Sequence, residues 1–268
     1  VVSRGLGDVY KRQGHLYPCY ETDEELNRLR KVSLSSGLPP IYDRASLKLT
    51  KDETKDYEAN GIRPYWRFKL DRKNITWNDL IRGEQSIACD SFSDPVLIRA
   101  DGTFLYTLPS VVDDIDMGIT HLIRGDDHLS NLPVQVNLFN SFEADVPIFC
   151  HLPMIHGIDG KRLSKRHGAV DINHFLREGY RVDALINYLV KTGWSHGDKE
   201  IFSVEELLEL FDLDRITKSA ATFDIDKLNW LNQHYIKNDD IDNVAEQILP
   251  YLQDQNLPIE ACNDDYLK

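Results

Sequence analysis

Residues 121–155 read HLIRGDDHLSNLPVQVNLFNSFEADVPIFCHLPMI, and this stretch contains the pattern that decides the fold. Its first four residues are typical of a short buried strand. Val134, Leu138 and Phe142 follow at intervals of four residues, as they would on one face of a helix. A second short apolar run covers residues 148–155. Strand, helix and strand in this order predict a βαβ crossover in a parallel sheet, so the sequence favours an α/β fold.

The residues on either side of this stretch predict further helices and strands. A capping box at Thr22–Glu25 starts a helix that continues through Val32, and Asp101-Gly102 is typical of a hairpin turn. Period-two alternation or short apolar runs predict strands over 64–70, 75–82, 94–99 and 103–108. Helical spacing predicts helices over 183–191, 204–211 and 241–252. A helix and a small antiparallel sheet therefore precede the crossover, and helices follow it.

Composition is that of an ordinary soluble protein. The chain has 268 residues, of which 41% are hydrophobic and 28% charged. It contains no uncharged apolar run of about 18 residues, so we expect no membrane span. Its four cysteines form no Cys-x-x-Cys pair, which indicates a reducing, cytoplasmic location without a disulfide framework.

Charge is unevenly distributed along the chain. The net charge of −13 argues against indiscriminate binding to nucleic acid or anionic lipid. Residues 161–191 are the exception, with seven Lys or Arg against three Asp or Glu. Within them, residues 160–168 read GKRLSKRHG, a pattern that suits a mobile loop binding a phosphate chain. An exposed basic turn without a ligand is the alternative interpretation.

The first thirteen residues differ in character from the rest. Gly5 and Gly7 resemble the start of a dinucleotide-binding motif, but Tyr10 stands where a third glycine belongs and no apolar strand precedes it. We interpret residues 1–13 as a foreign leader.

A family resemblance rests on the basic loop and its neighbours. RLSKR at 162–166 resembles the KMSKS signature of class I aminoacyl-tRNA synthetases. Segments that agree with it in order are YTLPSVVDD at 106–114, MGITHLIRGDDH at 117–128, ALINYL at 184–189, GWS at 193–195 and WLN at 230–232. Over roughly residues 14–252, the chain resembles the bacterial glutamate–tRNA ligase family.

The resemblance implies a domain organisation. We expect the second half of a class I synthetase Rossmann-type catalytic domain with an α+β insertion, followed by a mainly helical stem-contact and anticodon-binding region. The implied boundaries are a leader at 1–13, the insertion at 14–105, the catalytic half at 106–155, the signature loop and stem-contact region at 156–240, and the start of the anticodon-binding domain at 241–268. The family's His-x-Gly-His signature does not occur in this sequence, so we expect an internal piece that is inactive alone.

The implied reaction is the ATP-dependent attachment of L-glutamate to tRNA(Glu) through a glutamyl-adenylate, with Mg²⁺ accompanying ATP. We expect a monomer, no membrane partner and no zinc, because Cys19-Tyr20-Glu21 keeps at most one of the cysteines that hold zinc in some relatives. Three alternatives remain: a glutaminyl-type relative, a tRNA-modifying relative, and a tRNA- or nucleotide-binding module without catalysis.

On the phosphate side, the resemblance implies that Lys165 contacts the leaving pyrophosphate. Arg162 and Arg166 lie beside it in the sequence, and Ser164 either donates to a phosphate or stabilises the loop. Lysine and arginine side chains in this position stabilise the charge that develops on the leaving group. These four residues are the predicted catalytic set.

On the amino-acid side, Arg124 matches the family's reader of the substrate side-chain carboxylate, and a guanidinium suits that contact because it forms two parallel hydrogen bonds. The alternative is a structural ion pair of Arg124 with Asp126 or Asp127. Glutamate is also expected to meet the hydroxyl of Tyr106, unless that residue is a core tyrosine, and Ser110. Asp127 and His128 are expected near the adenosine, together with Lys165. No metal-ligating residue is predicted.

Overall fold

Residues 14–163 and 171–254 are described by the computed structural model, with side chains up to residue 252. They divide into two units, one ending at His151 and the other beginning at Leu152. No helix in these ranges is both long enough and apolar enough to cross a membrane.

The first unit alternates strands and helices. Its elements, including the strand that ends it, are β1 (Leu16–Cys19), α1 (Asp23–Ser35), α2 (Lys51–Ala59), β2 (Tyr65–Phe68), β3 (Ile75–Asp79), β4 (Gly83–Ile87), β5 (Val96–Ile98), α3 (Thr107–Asp116), β6 (His121–Gly125), α4 (Leu132–Ser141) and β7 (Ile148–Leu152). Short 3-10 helices cover Ala45–Lys48, Cys89–Ser91 and Asp126–Asn131.

The predicted capping box forms at the start of α1. The backbone N–H of Glu25 donates to the Thr22 hydroxyl at 3.3 Å, and the Glu25 carboxylate accepts from the Thr22 backbone N–H at 2.8 Å. Thr50 and Glu53 form the same pair at the start of α2. Both helices thus begin where a side chain satisfies their unpaired N–H groups.

The first hundred residues contain two antiparallel sheets, where one small, mostly antiparallel sheet was predicted. β1, β2 and β5 form one sheet, with Leu16 opposite Phe68. β3 and β4 form a hairpin in which Asp79 lies opposite Gly83. Gly83 has a φ of +72°, a conformation that glycine adopts without steric cost. The hairpin fixes the position of Asp79 at the end of β3, and Asp79 belongs to the site described below.

The strand, helix and strand predicted for residues 121–155 are present as β6, α4 and β7. β6 and β7 are paired neighbours with α4 between them in the sequence, and Ile148 N–H donates to Thr120 at 2.9 Å. Val134, Leu138 and Phe142 all pack into the core that α3 and α4 share with the three-stranded sheet. The helical spacing read from the sequence therefore predicted the helix, but not its full burial, since Leu132, Gln135, Val136 and Phe139 on other sides of α4 are also buried.

The second unit is mainly helical. Its elements are β8 (Ile155–His156), α5 (Ile172–Arg177), α6 (Val182–Gly193), α7 (Val204–Leu210), β9 (Ala221–Thr222), α8 (Ile225–Asn238) and α9 (Ile241–Asp254), with a 3-10 helix at Leu213–Arg215. β8 and β9 pair in parallel. Its main core includes Leu185 on α6 and Leu228 and Leu231 on α8. The three helices predicted for this region are confirmed as α6, α7 and α9.

Two predictions of local structure are wrong. Residues 103–108 do not form a strand: Phe104 makes one isolated bridge to Ile98, and α3 begins at Thr107. Proline in a first helical turn removes an N–H that has no partner there anyway, so Pro109 does not prevent the helix. The run 148–155 is divided between β7 and β8, because Pro153 has no N–H to donate to a ladder.

Candidate active site

Arg124 lies on β6 and is held by side chains from the neighbouring strand and from α4. Its Nε donates to Nε2 of His151 at 3.2 Å, and its Nη2 donates to Oε1 of Gln135 at 2.7 Å. The guanidinium carbon lies 5.9 Å from the ring centroid of Phe149. Neutral groups thus fix one part of a half-buried guanidinium.

The ion pair considered as an alternative for Arg124 does not form. Asp126 pairs with Arg82 instead, and within the described ranges no carboxylate lies within 4.0 Å of the Arg124 nitrogens. Burial lowers the pKa of Arg124, while the charges of Asp114 and Asp127 act in the opposite direction. A guanidinium remains protonated in proteins, so Arg124 is a partly buried cation with no bonded counterion among the described residues.

Behind Arg124 lies a buried pair that the sequence analysis did not identify. Nδ1 of His151 is 2.6 Å from Oδ2 of Asp79, and both side chains are fully buried. Burial lowers the pKa of His151 despite the neighbouring carboxylate. Burial opposes ionisation of Asp79, but hydrogen bonds from His151 and from backbone N–H groups outweigh it and hold the pKa of Asp79 below its ordinary value. The pair therefore consists of a neutral imidazole and an ionised carboxylate.

A sequence signal for these residues exists. His151 interrupts an apolar run, and Gln135 lies among the apolar residues of α4, yet both side chains are fully buried. Buried polar side chains need hydrogen-bond partners, so a polar residue inside an apolar pattern marks a position that meets another polar group.

Tyr106 and Ser110 lie at the start of α3. Ser110 N–H donates to the Tyr106 carbonyl at 3.1 Å, so the two residues are one turn apart on the same face. The Tyr106 side chain is 61% exposed and is not part of the core. Its ring centroid lies 6.3 Å from that of His128, and the residue lies close enough to Arg124 to influence the pKa of that guanidinium. The structure thus brings Tyr106, His128 and Arg124 into one neighbourhood.

Asp127 and His128 belong to the 3-10 helix that follows β6. Asp127 is exposed, and its negative charge acts on Arg124. Nδ1 of His128 lies 3.4 Å from the Asn131 amide nitrogen. Both residues therefore lie within four positions of Arg124 at the end of β6.

The base of the signature loop is a tight hairpin in the second unit. Leu163 N–H donates to Ile155 at 2.9 Å, and Gly157 N–H donates to Lys161 at 2.8 Å. Gly160 has a φ of +73°, which allows this turn. Arg162 is bridged to His156, so the loop departs from an ordered strand. Ser164, Lys165 and Arg166 lie outside the described residues.

The described ranges contain no group of three or more His, Cys, Asp or Glu residues arranged to hold a metal ion. The side chains of Cys19 and Glu21, which the sequence analysis considered for zinc, contact other protein groups. The Glu21 carboxylate accepts from Tyr42 at 2.5 Å and from Ser46 at 2.8 Å, and the Cys19 sulfur lies 3.8 Å from the Tyr42 hydroxyl. The absence of zinc stays a prediction.

Comparison with known proteins decides the family. Residues 10–230 match the family model described as tRNA synthetases class I (E and Q), catalytic domain. The chain belongs to this family. The resemblance that the sequence motifs indicated is therefore confirmed, as is the expected fold class.

Named relatives agree with this assignment. This synthetase chain is 46% identical over 253 residues to a glutamate–tRNA ligase of Nitrosomonas europaea, covering 94% of this chain and 54% of that protein. A glutamate–tRNA ligase 2 of Methylorubrum populi is also 46% identical, with 94% and 56% covered. The chain spans about half the length of the curated relatives it matches.

A solved structure gives the same result for the fold. The glutamate–tRNA ligase of Elizabethkingia meningosepticum, crystallised in complex with its amino acid, superposes with a TM-score of 0.83 at 29% identity. The match covers 98% of this chain and 59% of that one. The synthetase chain thus has the fold of a class I synthetase catalytic domain and the segments that follow it.

Proposed function

We propose that the protein containing this chain attaches L-glutamate to tRNA(Glu) through an ATP-derived glutamyl-adenylate. The observation that carries the proposal is Arg124, a partly buried cation whose bonded partners in the described structure are neutral. A buried charge is stable only when it is paired, so the arrangement suits an anionic ligand. The names of the curated relatives support glutamate as that ligand.

Arg124 is proposed to read the side-chain carboxylate of glutamate. Two of its five N–H groups are bound by His151 and Gln135, which leaves enough donors for a two-bonded carboxylate contact. Tyr106 and Ser110, which lie on one face of α3, are proposed to border the amino acid. Glutamine would leave the cation facing a neutral amide, and such a mismatch penalises the wrong substrate.

Lys165, Arg162, Arg166 and Ser164 are proposed to bind the phosphates of ATP. Their charges would stabilise pyrophosphate as it leaves, which is the main contribution a protein makes to this kind of step. Asp127 and His128 are proposed to lie near the adenosine. Mg²⁺ is proposed to be held by the phosphates, in keeping with the lack of an acidic cluster in the described ranges.

The remaining parts of the proposal concern organisation. We place the insertion at 14–105, the catalytic half at 106–155, the stem-contact region at 156–240 and the start of the anticodon-binding domain at 241–268. The basic residues within 161–191 are proposed to approach the acceptor-side backbone of tRNA. The protein is proposed to be a cytoplasmic monomer without zinc.

The test is ATP–pyrophosphate exchange in the presence of tRNA. A full-length protein containing this chain is expected to exchange with glutamate and not with glutamine. The 268-residue chain alone is expected to show no exchange, because its sequence lacks the His-x-Gly-His signature. Exchange driven by glutamine would favour a glutaminyl-type enzyme. A full-length protein that binds tRNA without any exchange would favour a binding module and contradict the proposal.

A further inference from the structure

We propose that Asp79 and His151 are positioning residues that fix the orientation of Arg124 by fixing which nitrogen of His151 carries the proton. Asp79 is the last residue of β3, His151 lies on β7 and Arg124 on β6, so three strands contribute one residue each. The inference rests on the proposed role of Arg124 in binding glutamate. It adds two residues to the site that do not touch the substrate.

The hydrogen bonds of Asp79 determine the tautomer. Its Oδ1 accepts from the backbone N–H groups of Ile81 and Arg82, each at 3.1 Å, and from that of His151 at 3.3 Å. Its Oδ2 lies 2.6 Å from Nδ1 of His151. An ionised carboxylate can only accept, so Nδ1 must carry the proton.

The other ring nitrogen is then an acceptor for Arg124. Nε2 of the neutral ring has a lone pair, and Nε of Arg124 donates to it at 3.2 Å. The opposite tautomer would place two N–H groups against each other. A carboxylate that fixes one nitrogen of a histidine in this way sets the role of the other nitrogen.

Gln135 provides the second contact on the guanidinium. Because arginine cannot accept a hydrogen bond, the amide must point its carbonyl oxygen towards Nη2 of Arg124. Its amide nitrogen is buried and has no hydrogen-bond partner in the described structure. Native structures rarely leave a buried amide nitrogen unpaired. The orientation of Gln135 that bonds to Arg124 is therefore unfavourable for its own NH₂ group.

Nη1 of Arg124 makes no hydrogen bond to any described residue. The bound Nε and Nη2 fix the plane of the guanidinium, so the direction in which Nη1 points is also fixed. A two-bonded carboxylate contact depends on that plane. Loss of the Asp79–His151 pair should therefore weaken glutamate binding without removing any atom that touches glutamate.

Asp79→Asn is the decisive variant because it keeps the shape of the side chain. The three backbone N–H groups of Ile81, Arg82 and His151 will retain the amide oxygen in the place of Oδ1. The new NH₂ group then occupies the place of Oδ2 and donates to Nδ1 of His151, which drives the proton to Nε2. Replacing such an aspartate with asparagine reverses the histidine tautomer in the same way in Ser-His-Asp hydrolases.

The first measurement is nitrogen-15 NMR of the His151 ring in the 268-residue chain. We expect the proton on Nδ1 in the unaltered chain and on Nε2 in Asp79→Asn. The second measurement is steady-state kinetics in the full-length protein. We expect Asp79→Asn to raise KM for glutamate by roughly 10- to 100-fold, as for partners of metal ligands, with KM for ATP unchanged.

Two variants of His151 separate orientation from packing. In His151→Asn the amide can still donate to Asp79 but is too short to reach Arg124, so KM for glutamate should rise as in Asp79→Asn. In His151→Gln the longer side chain can place its carbonyl oxygen near the position of Nε2, so much of the glutamate affinity should return. Equal effects of the two variants would contradict the positioning role.

Asp94→Asn is the matched control. Asp94 is a fully buried carboxylate in the same unit, bonded to Arg44 and to the Tyr17 hydroxyl. The Asp94→Asn substitution should lower thermal stability without changing KM for glutamate. A proton on Nε2 in the unaltered chain, or a glutamate KM that Asp79→Asn does not change more than Asp94→Asn, overturns the inference. A full-length protein without glutamate-dependent exchange would instead overturn the proposed function.

Discussion

Replacing Arg124 with glutamine in a full-length protein that contains this chain should reduce kcat/KM for glutamate while leaving KM for ATP close to its original value. Two charge-assisted hydrogen bonds to a carboxylate contribute roughly 1.5–3 kcal/mol each. A neutral amide recovers part of this, and Arg124 is only half-buried. We therefore expect a net loss of about 2–4 kcal/mol, which corresponds to roughly 30- to 900-fold.

Arg124→Lys should reduce kcat/KM for glutamate almost as much as Arg124→Gln does. An ammonium group can donate to either His151 or Gln135, but it lacks the planar fork that holds Nε and Nη2 against these two acceptors while other N–H groups face the ligand. If the ammonium group donates to His151, the buried Gln135 carbonyl loses its donor. In the native arrangement this carbonyl accepts from Nη2 of Arg124 at 2.7 Å. Conservation of charge alone should not rescue the substrate contact.

Three measurements on the same three proteins test this reasoning: kcat/KM for glutamate, KM for ATP, and the melting temperature. A selective loss of glutamate use, together with a reduced preference for glutamate over glutamine, supports Arg124 as the carboxylate reader. A fall in melting temperature with all kinetic constants reduced together would refute it, because that pattern belongs to a residue that only maintains the fold.

Three further outcomes can be measured. Asp94→Ala should lower the free energy of unfolding in urea by roughly 3 kcal/mol, since it leaves Arg44 without its partner in a largely buried pair. Burial raises the pKa of Asp114, so ionisation opposes folding. Asp114→Asn should therefore melt higher than the unaltered chain at neutral pH, and the difference should vanish as acid protonates the native carboxyl. Lys165→Ala in the full-length protein should slow adenylate formation by roughly 100-fold in rapid-quench experiments, with a smaller change in KM for ATP.

Local chemistry explains which elements the sequence could predict. The start of α1 was predicted because Thr22 and Glu25 are the two residues that form its cap. α4 was predicted because Val134, Leu138 and Phe142 recur with the helical period, although the helix is buried on other sides as well. By contrast, β4 reads GEQSI and none of its residues is fully buried. A strand whose pairing alone stabilises it has no hydrophobic pattern to reveal it.

α3 shows a different reason why a prediction from the sequence was wrong. Asp101-Gly102 favours a hairpin, and that signal extended the predicted strand to residue 108. The structure retains the turn, since Gly102 N–H donates to Arg99 at 2.9 Å. Pairing across it extends only to residue 105, through the bridge of Phe104 to Ile98 and the bond from Leu105 N–H to Leu97. Leu108, Val111 and Val112 are buried on the helix that follows. Tertiary burial of this apolar face outweighed the local preference for a continued strand.

The candidate site likewise contains residues that the sequence could predict and residues that it could not. The family motif predicted Arg124, Tyr106 and His128, which the structure brings into one neighbourhood. Asp79 could not be connected with His151 from the sequence, because the two residues are 72 positions apart and lie in different sheets, since β3 pairs with β4 and β7 with β6. Their contact depends on how the β3–β4 hairpin packs against β7, where Leu80 N–H donates to Phe149 at 3.0 Å.

The hairpin of β3 and β4 contributes two residues, Asp79 and Arg82, to the surroundings of Arg124. Asp79 at the end of β3 supplies the carboxylate that orients His151, and Arg82 in the following turn pairs with Asp126. Asp126 lies two residues after Arg124 and would be its nearest competing anion in sequence. Because Arg82 engages that carboxylate, Arg124 keeps neutral partners and an unbound Nη1 among the described residues. One turn of the chain thus orients the cation and engages its nearest competing anion, and the proposed binding of the glutamate carboxylate requires both.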